Sequence, residues 1–332
     1  MSKSIHWAAL SVLTLLLLPF LTLAQVAPDT GVVHSTKNPS QIAILHWYDA
    51  NLTTTFPVGN GPMWMAFDGA NLWVANFFDN SVAKVQPSTG KVLGTFPVGS
   101  GPQGVAFDGA NIWVTNLTGD SVTKLRASDG KVLGTFALAS GATPWGVAFD
   151  GANIWVVNNF FPGVSNANVT KLRASDGKVL GTFPVGMGPT GVAFDGANIW
   201  VANSGGNSVT KLRASDGKVL GTFNVGAAYG VAFDGANIWV TGLVDNIVTK
   251  LRARDGKVLG TFAVGAYPRG IVFDGSNIWV ANQVSGSVTK LRARDGKVLG
   301  TFDLGSEVEG MAFDGTSIWV SHGGPSQTIS KL

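Results

Sequence analysis

Short alternating apolar stretches, broken every few positions by Gly, Asp, Asn or Ser, run through most of the 332-residue chain. The stretch from Gly191 shows the pattern: Gly191-Val192-Ala193-Phe194, a break at Asp195 to Asn198, then Ile199-Trp200-Val201-Ala202. A polar loop at 203–207 follows, then Ser208 to Arg213, a Ser215-Asp216-Gly217 break, and Lys218 to Val225. Alternation over such lengths predicts half-buried strands. Asp-Gly between them predicts tight hairpins, because those turns need positive φ.

The four-strand unit recurs. Phe-Asp-Gly places Asp at 68, 108, 150, 195, 234, 274 and 314, six intervals spanning 246 positions, or 41 residues per repeat. Gly-Val-Ala-Phe-Asp-Gly-Ala-Asn-Ile-Trp-Val occurs verbatim from Gly104, Gly146, Gly191 and Gly230. Four antiparallel strands per unit, repeated radially, predict an all-β, seven-bladed β-propeller over residues 41–332. A solenoid is the rival, but small residues on the first strand suit crowding around an axis, and the ends look built to close. The fourth-strand Phe recurs at 56, 96, 136, 183, 223, 262 and 302, and the first copy precedes every Phe-Asp-Gly. Thr328 to Leu332 is in register with Ser-Val-Thr-Lys-Leu. Residues 52–58 are therefore expected to add the outer strand to the C-terminal blade. Gln41 to His46 also aligns with strand three; it either fills that slot or adds a fifth strand.

The units Asn-Ile-Trp-Val-Ala-Asn at 198–203, Asn-Ser-Val-Thr-Lys-Leu at 207–212 and Gly-Lys-Val-Leu-Gly-Thr-Phe at 217–223 resemble those of YVTN/NHL-type seven-bladed propellers of exported bacterial proteins. The resemblance spans about 41–332 and implies the fold; that family hosts binding scaffolds as well as enzymes.

Composition agrees. Gly accounts for 44 residues, about twice the ordinary ~7%, and charged residues for only 13% against about 25%. Of 20 acidic residues, 18 are Asp and only Glu307 and Glu309 are Glu. Such a chain is a poor helix former and a good strand former. Residues 1–24 read as a secretory signal: Lys3, an apolar run from Ala8 to Leu23, and small residues at Thr22 and Ala24 before Gln25. The run is interrupted by Pro19 and is shorter than the roughly 20 residues needed to span a bilayer. Residues 25–40 are expected to be a linker, and the mature protein to be secreted, periplasmic or on the cell surface. With no Cys, disulfides, thiol catalysis and thiolate metal sites are excluded. The formal charge of +3 comes from residues that recur once per repeat, so no nucleic-acid partner is expected. Nor is membrane insertion expected after signal cleavage, and the state expected is a monomer.

The repeat compared with itself separates core from surface. The seven Trp at 73, 113, 155, 200, 239, 279 and 319 read as inter-blade packing. The Asp of Phe-Asp-Gly reads as a turn former bonded to local backbone, and the Lys and Arg of Thr-Lys-Leu-Arg as exposed or snorkelling charges. Variation falls in the loops joining strand four to the next strand one, and strands two to three. In a meander both open on one face. The extended Ala139–Trp145 connection and the insertion between Asn158 and Asn168 lie there too. The residues just before strand one are Trp64, Gln103, Trp145, Thr190, Tyr229, Arg269 and Glu309, expected to ring the channel mouth, with Tyr267 beside them. Phe77, Phe78, Phe160 and Phe161 lie on rim loops of the same face. Aromatics with a few polar groups suit a ligand surface. Arg269 and Glu309, on adjacent blades, are placed to pair, which at a surface is worth about 0–1 kcal/mol.

Chemistry is sparse. The His residues after the signal are His34, His46 and His322, and no phosphate loop or nucleophile motif appears. The repeat is also similar to that of the streptogramin lyases, metal-assisted eliminating enzymes with a catalytic His. That resemblance finds only His322 here and does not match the supporting residues; read from the residues themselves, His322 would be the general base, with Glu307 or Glu309, on the same face of one blade, orienting it or holding a divalent cation. A quinone-dependent dehydrogenase would need a dense ring of Arg, Asp and aromatic ligands, which is not evident. The reading favoured is a non-enzymatic scaffold without cofactor or metal. It would bind a protein, peptide or glycan partner through Trp64, Gln103, Trp145, Thr190, Tyr229, Tyr267, Arg269 and Glu309. A structural cell-surface module is a third reading.

Overall fold

Asp108 shows how the repeat folds. Its Oδ1 accepts from the backbone N–H groups of Ala110 and Asn111 at 2.9 and 2.6 Å, closing the turn between strands one and two. Its Oδ2 accepts from Trp113 Nε1 at 2.8 Å, fixing the indole that enters the core. Burial alone would push this carboxyl up; the bonds from Trp113, Ala110 and Asn111 outweigh it and hold the group below its ordinary value. The same Asp–Trp bond recurs in the other six blades. The seven Asp residues are thus turn formers rather than a free carboxylate ring.

The computed structural model describes residues 54–159, 167–305 and 307–332. Among these, 28 strands form seven four-stranded antiparallel sheets, and there is no helix. The innermost strands, from Pro62–Phe67 through Pro102–Phe107 to Val308–Phe313, follow one another around an axis, and the last touches the first. The protein is a seven-bladed β-propeller. The seventh blade is built from both ends of this ring, in the order Thr55–Pro57, Thr328–Lys331, Ile318–His322, Val308–Phe313. Phe56 pairs with Ile329 in that latch. Thr328–Lys331 fills the strand-three slot; Gln41 to His46, which competed for it in the sequence, lies outside the described residues, as do the signal segment, the linker, His34, Phe160 and Phe161.

Packing between blades follows from the repeat. Each strand-two Trp is fully or nearly buried and meets the outer-strand Phe of its own blade at 5.5–5.6 Å between centroids, as in Trp113–Phe136. It also packs against the next blade: Trp200 lies with Ile238, Val240 and Leu251. The Lys of strand three departs from the expected exposed or snorkelling charge, because its head is held by the next blade rather than by water. Lys211 is buried, its Nζ donates to the carbonyls of Ala253 and Arg254 in the next blade at 2.7 and 3.1 Å, and it stands 5.0 Å from the Trp200 ring. The neighbouring Arg213 stays exposed and pairs with Asp216 in its own turn.

Close approach sets the inner strand. A Cβ at Gly146 would lie 2.4 Å from the Thr190 carbonyl oxygen, and one at Gly230 would lie 2.3 Å from that of Arg269. Both obstacles are backbone, so at these two positions Gly lets neighbouring innermost strands converge.

Candidate functional site

The face bearing the strand four-to-one and two-to-three loops carries the four most exposed large apolar side chains among the described residues: Phe78 at 54%, Met187 and Val244 at 66%, Val284 at 69%. The opposite, Asp-Gly face has larger grooves between blades, of roughly 460–590 Å³. Their polar side chains are occupied internally: Asp by turn and Trp, Lys by carbonyls, Arg by Asp. No buried polar side-chain atom lining them lacks a partner.

Buried polar atoms without a partner lie on the variable-face side, at Oδ1 of the strand-two residues Asn76, Asn116, Asn158, Asn203 and Asn282 and at the channel mouth. Arg269 Nη1 donates to both Glu309 carboxylate oxygens, at 2.7 and 3.0 Å, and Gln283 Nε2 donates to Oε1 at 2.7 Å. The guanidinium carbon lies 5.2 Å from the Tyr229 ring and 5.7 Å from the Tyr267 ring. Trp145 meets Tyr229 edge to face at 6.4 Å. One buried donor here, Arg269 Nε, has no acceptor, and the Trp145 indole lies within hydrogen-bonding reach of the Tyr229 phenol. The ion pair is not at the surface as the sequence suggested: the Glu309 side chain keeps only 6% exposure and Arg269 24%. Burial pushes the Glu309 carboxyl up; Arg269 opposes this, and the nearby Glu307 charge adds to it. Burial also pushes the Tyr229 phenol up.

Tyr267 stands at φ 61°, in the left-handed region. The corresponding loop positions in three other blades are Gly61, Gly101 and Gly188, with φ 60–65°. A bulky residue there costs about 1–2 kcal/mol in backbone strain. The ring over Arg269 is present despite that cost.

The expected ring shifts by one residue in the first blade. Met65 pairs with Val74 where Val105 pairs with Val114, so Met63 is the counterpart of Gln103, and Trp64 stands where other blades have Gly. Trp64 enters the channel and, with Trp145, Gly104, Gly146, Gly191 and Gly230, lines a cavity of about 80 Å³. Gln103 is buried, and Thr190 is buried with its hydroxyl donating to the Tyr229 carbonyl at 2.8 Å. The structure thus brings Trp145, Tyr229, Tyr267, Arg269 and Glu309 together, sets Trp64 deeper, and gives Gln103 and Thr190 buried positions. Gln283 went unnoticed in the sequence; the position just after strand two holds Phe77, Leu117, Asn159, Ser204, Leu243 and Gly323 in the other blades, so its residue type carries no signal.

His322 occupies a structural slot. Asn76, Asn116, Asn158, Asn203 and Asn282 end strand two in other blades; Asn203 Nδ2, for example, donates to Ser208 and Thr210 hydroxyls at 3.2 and 2.9 Å. His322 takes that place, buried, with Nε2 2.6 Å from Ser330 Oγ, the counterpart of the Thr210 hydroxyl. Burial holds its pKa below the ordinary value. Glu309 is engaged by Arg269 and Gln283, and among the described residues no three of His, Asp or Glu converge as metal ligands. The residues present do not fit the metal implied by the lyase resemblance.

Known proteins resemble the chain in fold. A family model described as outer membrane protein assembly factor BamB matches residues 165–312. No curated protein sequence matches. A streptogramin B lyase structure superposes with a TM-score of 0.70 at 19% identity, over 83% of this chain and 94% of that one. Hydrazine synthase from Kuenenia stuttgartiensis superposes with a TM-score of 0.71 at 18% identity, over 82% and 95%. These define a seven-bladed propeller with BamB-like repeats and streptogramin lyase-like structural neighbours.

Proposed function

We propose that the protein is an exported, non-enzymatic scaffold of YVTN/NHL type that binds a protein, peptide or glycan partner on its variable face. The observation that carries this reading is the asymmetry of the two faces: exposed apolar tips and unsatisfied buried polar atoms lie on one, while the other satisfies its own polar groups. Export is supported by the signal-like residues 1–24 and by the partial match to a family named for outer membrane protein assembly. A closed ring of sheets presents its loops with little ordering entropy left to lose on binding.

The test uses the full chain carrying Phe78→Asp, Met187→Asp, Val244→Asp and Val284→Asp. All four sites are exposed, so the fold is retained. Wild type immobilised against envelope and culture-supernatant fractions retains a partner that this variant loses. A control with Leu133→Asp and Leu220→Asp on the exposed outer strands keeps it. Equal retention by wild type and the loop variant overturns the assignment.

A further inference from the structure

We propose that the Asp-Gly face docks on the surface of an anionic lipid bilayer, holding the disc flat with its variable face turned away; this holds whichever partner the variable face takes. Charge is divided between the two faces. The variable face carries Asp79, Asp120, Asp245, Asp303, Glu307 and Glu309 against a single cation, Arg269, among the described residues. On the opposite face the seven Phe-Asp-Gly carboxylates are matched by the seven strand-three Lys, and the Asp of five strand three-to-four turns pairs with the Arg of its own turn. Lys91, Lys131, Lys178, Lys218, Lys257 and Lys297 are left over, all exposed and none in an ion pair. Arg254 and Arg294 join them with side chains 75% exposed, where other blades carry Ser128, Ser175 and Ser215.

Apolar side chains share that rim. Each leftover Lys begins a Lys-Val-Leu triplet at the start of the outermost strand, and its Leu is 46–50% exposed in all six copies. Leu220 lies three residues beyond Gly217 of the turn, within about 10 Å of the tip at ~3.3 Å per residue. Amphipathic surfaces enter a bilayer by about 5–10 Å, so Lys and Leu reach the headgroup layer together. Three grooves of this face, roughly 530–590 Å³, are edged by Arg126, by Arg213, and by Arg292 with Arg294. Their Asp partners are exposed, and such pairs are weak in water. A lipid phosphate offers each guanidinium two parallel hydrogen bonds instead.

Shape selects the bilayer among anionic partners. The repeat sets the triplets at one level around the circumference, so a plane meets all six at once. A linear polyanion would track a few blades and leave the Leu side chains in water. A second copy stacked head to tail would bring its carboxylates at the wrong radius, because Glu309 stands at the channel mouth while the Lys residues ring the edge. The acidic variable face is repelled by the same lipids, which fixes the orientation.

The experiment sediments the full chain with protein-free vesicles of phosphatidylcholine, with and without about a third phosphatidylglycerol. The gain on adding phosphatidylglycerol is the quantity read, because the apolar run from Ala8 to Leu23 meets both vesicles equally. The expected gain is about tenfold or more, and most of it disappears at about 1 M salt, where the Debye length is ~3 Å. Arg254→Ser, Arg294→Ser, Lys257→Gln and Lys297→Gln together should lower it about fivefold or more. Leu180→Ser, Leu220→Ser, Leu259→Ser and Leu299→Ser together should lower it as well. All eight sites are exposed, so melts are preserved, and the variable-face Asp variant keeps the full gain. Absence of a gain, or a gain unmoved by either set of changes, overturns the proposal. So does binding to soluble polyphosphate that matches the vesicles and ignores the Leu changes, which would make the partner a polyanion. Vesicle-free self-association lost with the same Arg and Lys changes also overturns it, since the partner would then be a second copy.

Discussion

Arg269 and Glu309 form an ion pair across two neighbouring blades, with Nη1 at 2.7 and 3.0 Å from the two carboxylate oxygens. Because Glu309 is almost fully buried, the pair acts as a unit: neither charge is stable there without the other. Arg269→Ala should cost about 3 kcal/mol, the lower end for breaking a buried pair, since Arg269 keeps 24% exposure. The double change Arg269→Met with Glu309→Met should recover most of it. Denaturant unfolding of the three proteins checks this; equal stability of Arg269→Ala and wild type would show the pair to be idle.

Gly146→Ala should destabilise the ring, because the new Cβ would meet the Thr190 carbonyl oxygen at 2.4 Å and both sides are backbone. Overpacking of this kind costs about 1–3 kcal/mol or more. Gly151→Ala is the control, since nothing lies near its Cβ direction, although its φ of 95° carries a backbone penalty. Thermal melts should rank Gly146→Ala as the less stable; the reverse order would contradict the crowded axis.

His322 and Glu309 give stability opposite slopes with pH. Burial lowers the folded-state pKa of His322. From about 6.5 downward, the unfolded chain therefore takes up the proton first, and stability falls as pH falls until the folded value is passed. Glu309 is raised in the folded state. Its contribution is fully present below about 4.3 and is lost as pH rises through the folded value. His322→Asn, the residue of the other blades, should keep the bond to Ser330 and remove the acid-side loss below about 6.5. Unfolding free energies measured from pH 4 to 8 read the difference; an unchanged profile would mean that His322 titrates as in the unfolded chain.

Lys211→Met should lose two charge-assisted bonds to the next blade while keeping the stem packed on Trp200. The expected cost is about 1.5–3 kcal/mol, typical of hydrogen bonds to charged groups. Chemical denaturation checks it, and a neutral result would mean that the packed stem suffices.

The propeller was legible because Phe-Asp-Gly, Trp and Ser-Asp-Gly recur at nearly fixed spacing, and each turn or core role is local. The latch was legible for the same reason: Phe56 and Thr328 to Leu332 are out-of-place copies of known strands. Relationships between blades were less accessible. The Lys211 ammonium finds its carbonyl partners 42 and 43 residues onward, so nothing nearby in sequence marks it as buried. Trp64 was misplaced because its blade lacks the Gly that sets the register elsewhere. Gln283 carries no motif, and only the fold brings it to Glu309. His322 looked chemical because His is rare in this chain, yet its slot belongs to Asn in five other blades.

The most direct test of the variable face is partner retention by wild type and by the variant carrying Asp at 78, 187, 244 and 284, both shown to be folded by their melts. The account predicts that wild type holds an envelope or supernatant component and the variant releases it, while the outer-strand control behaves as wild type. Retention by the loop variant equal to that of wild type would contradict it.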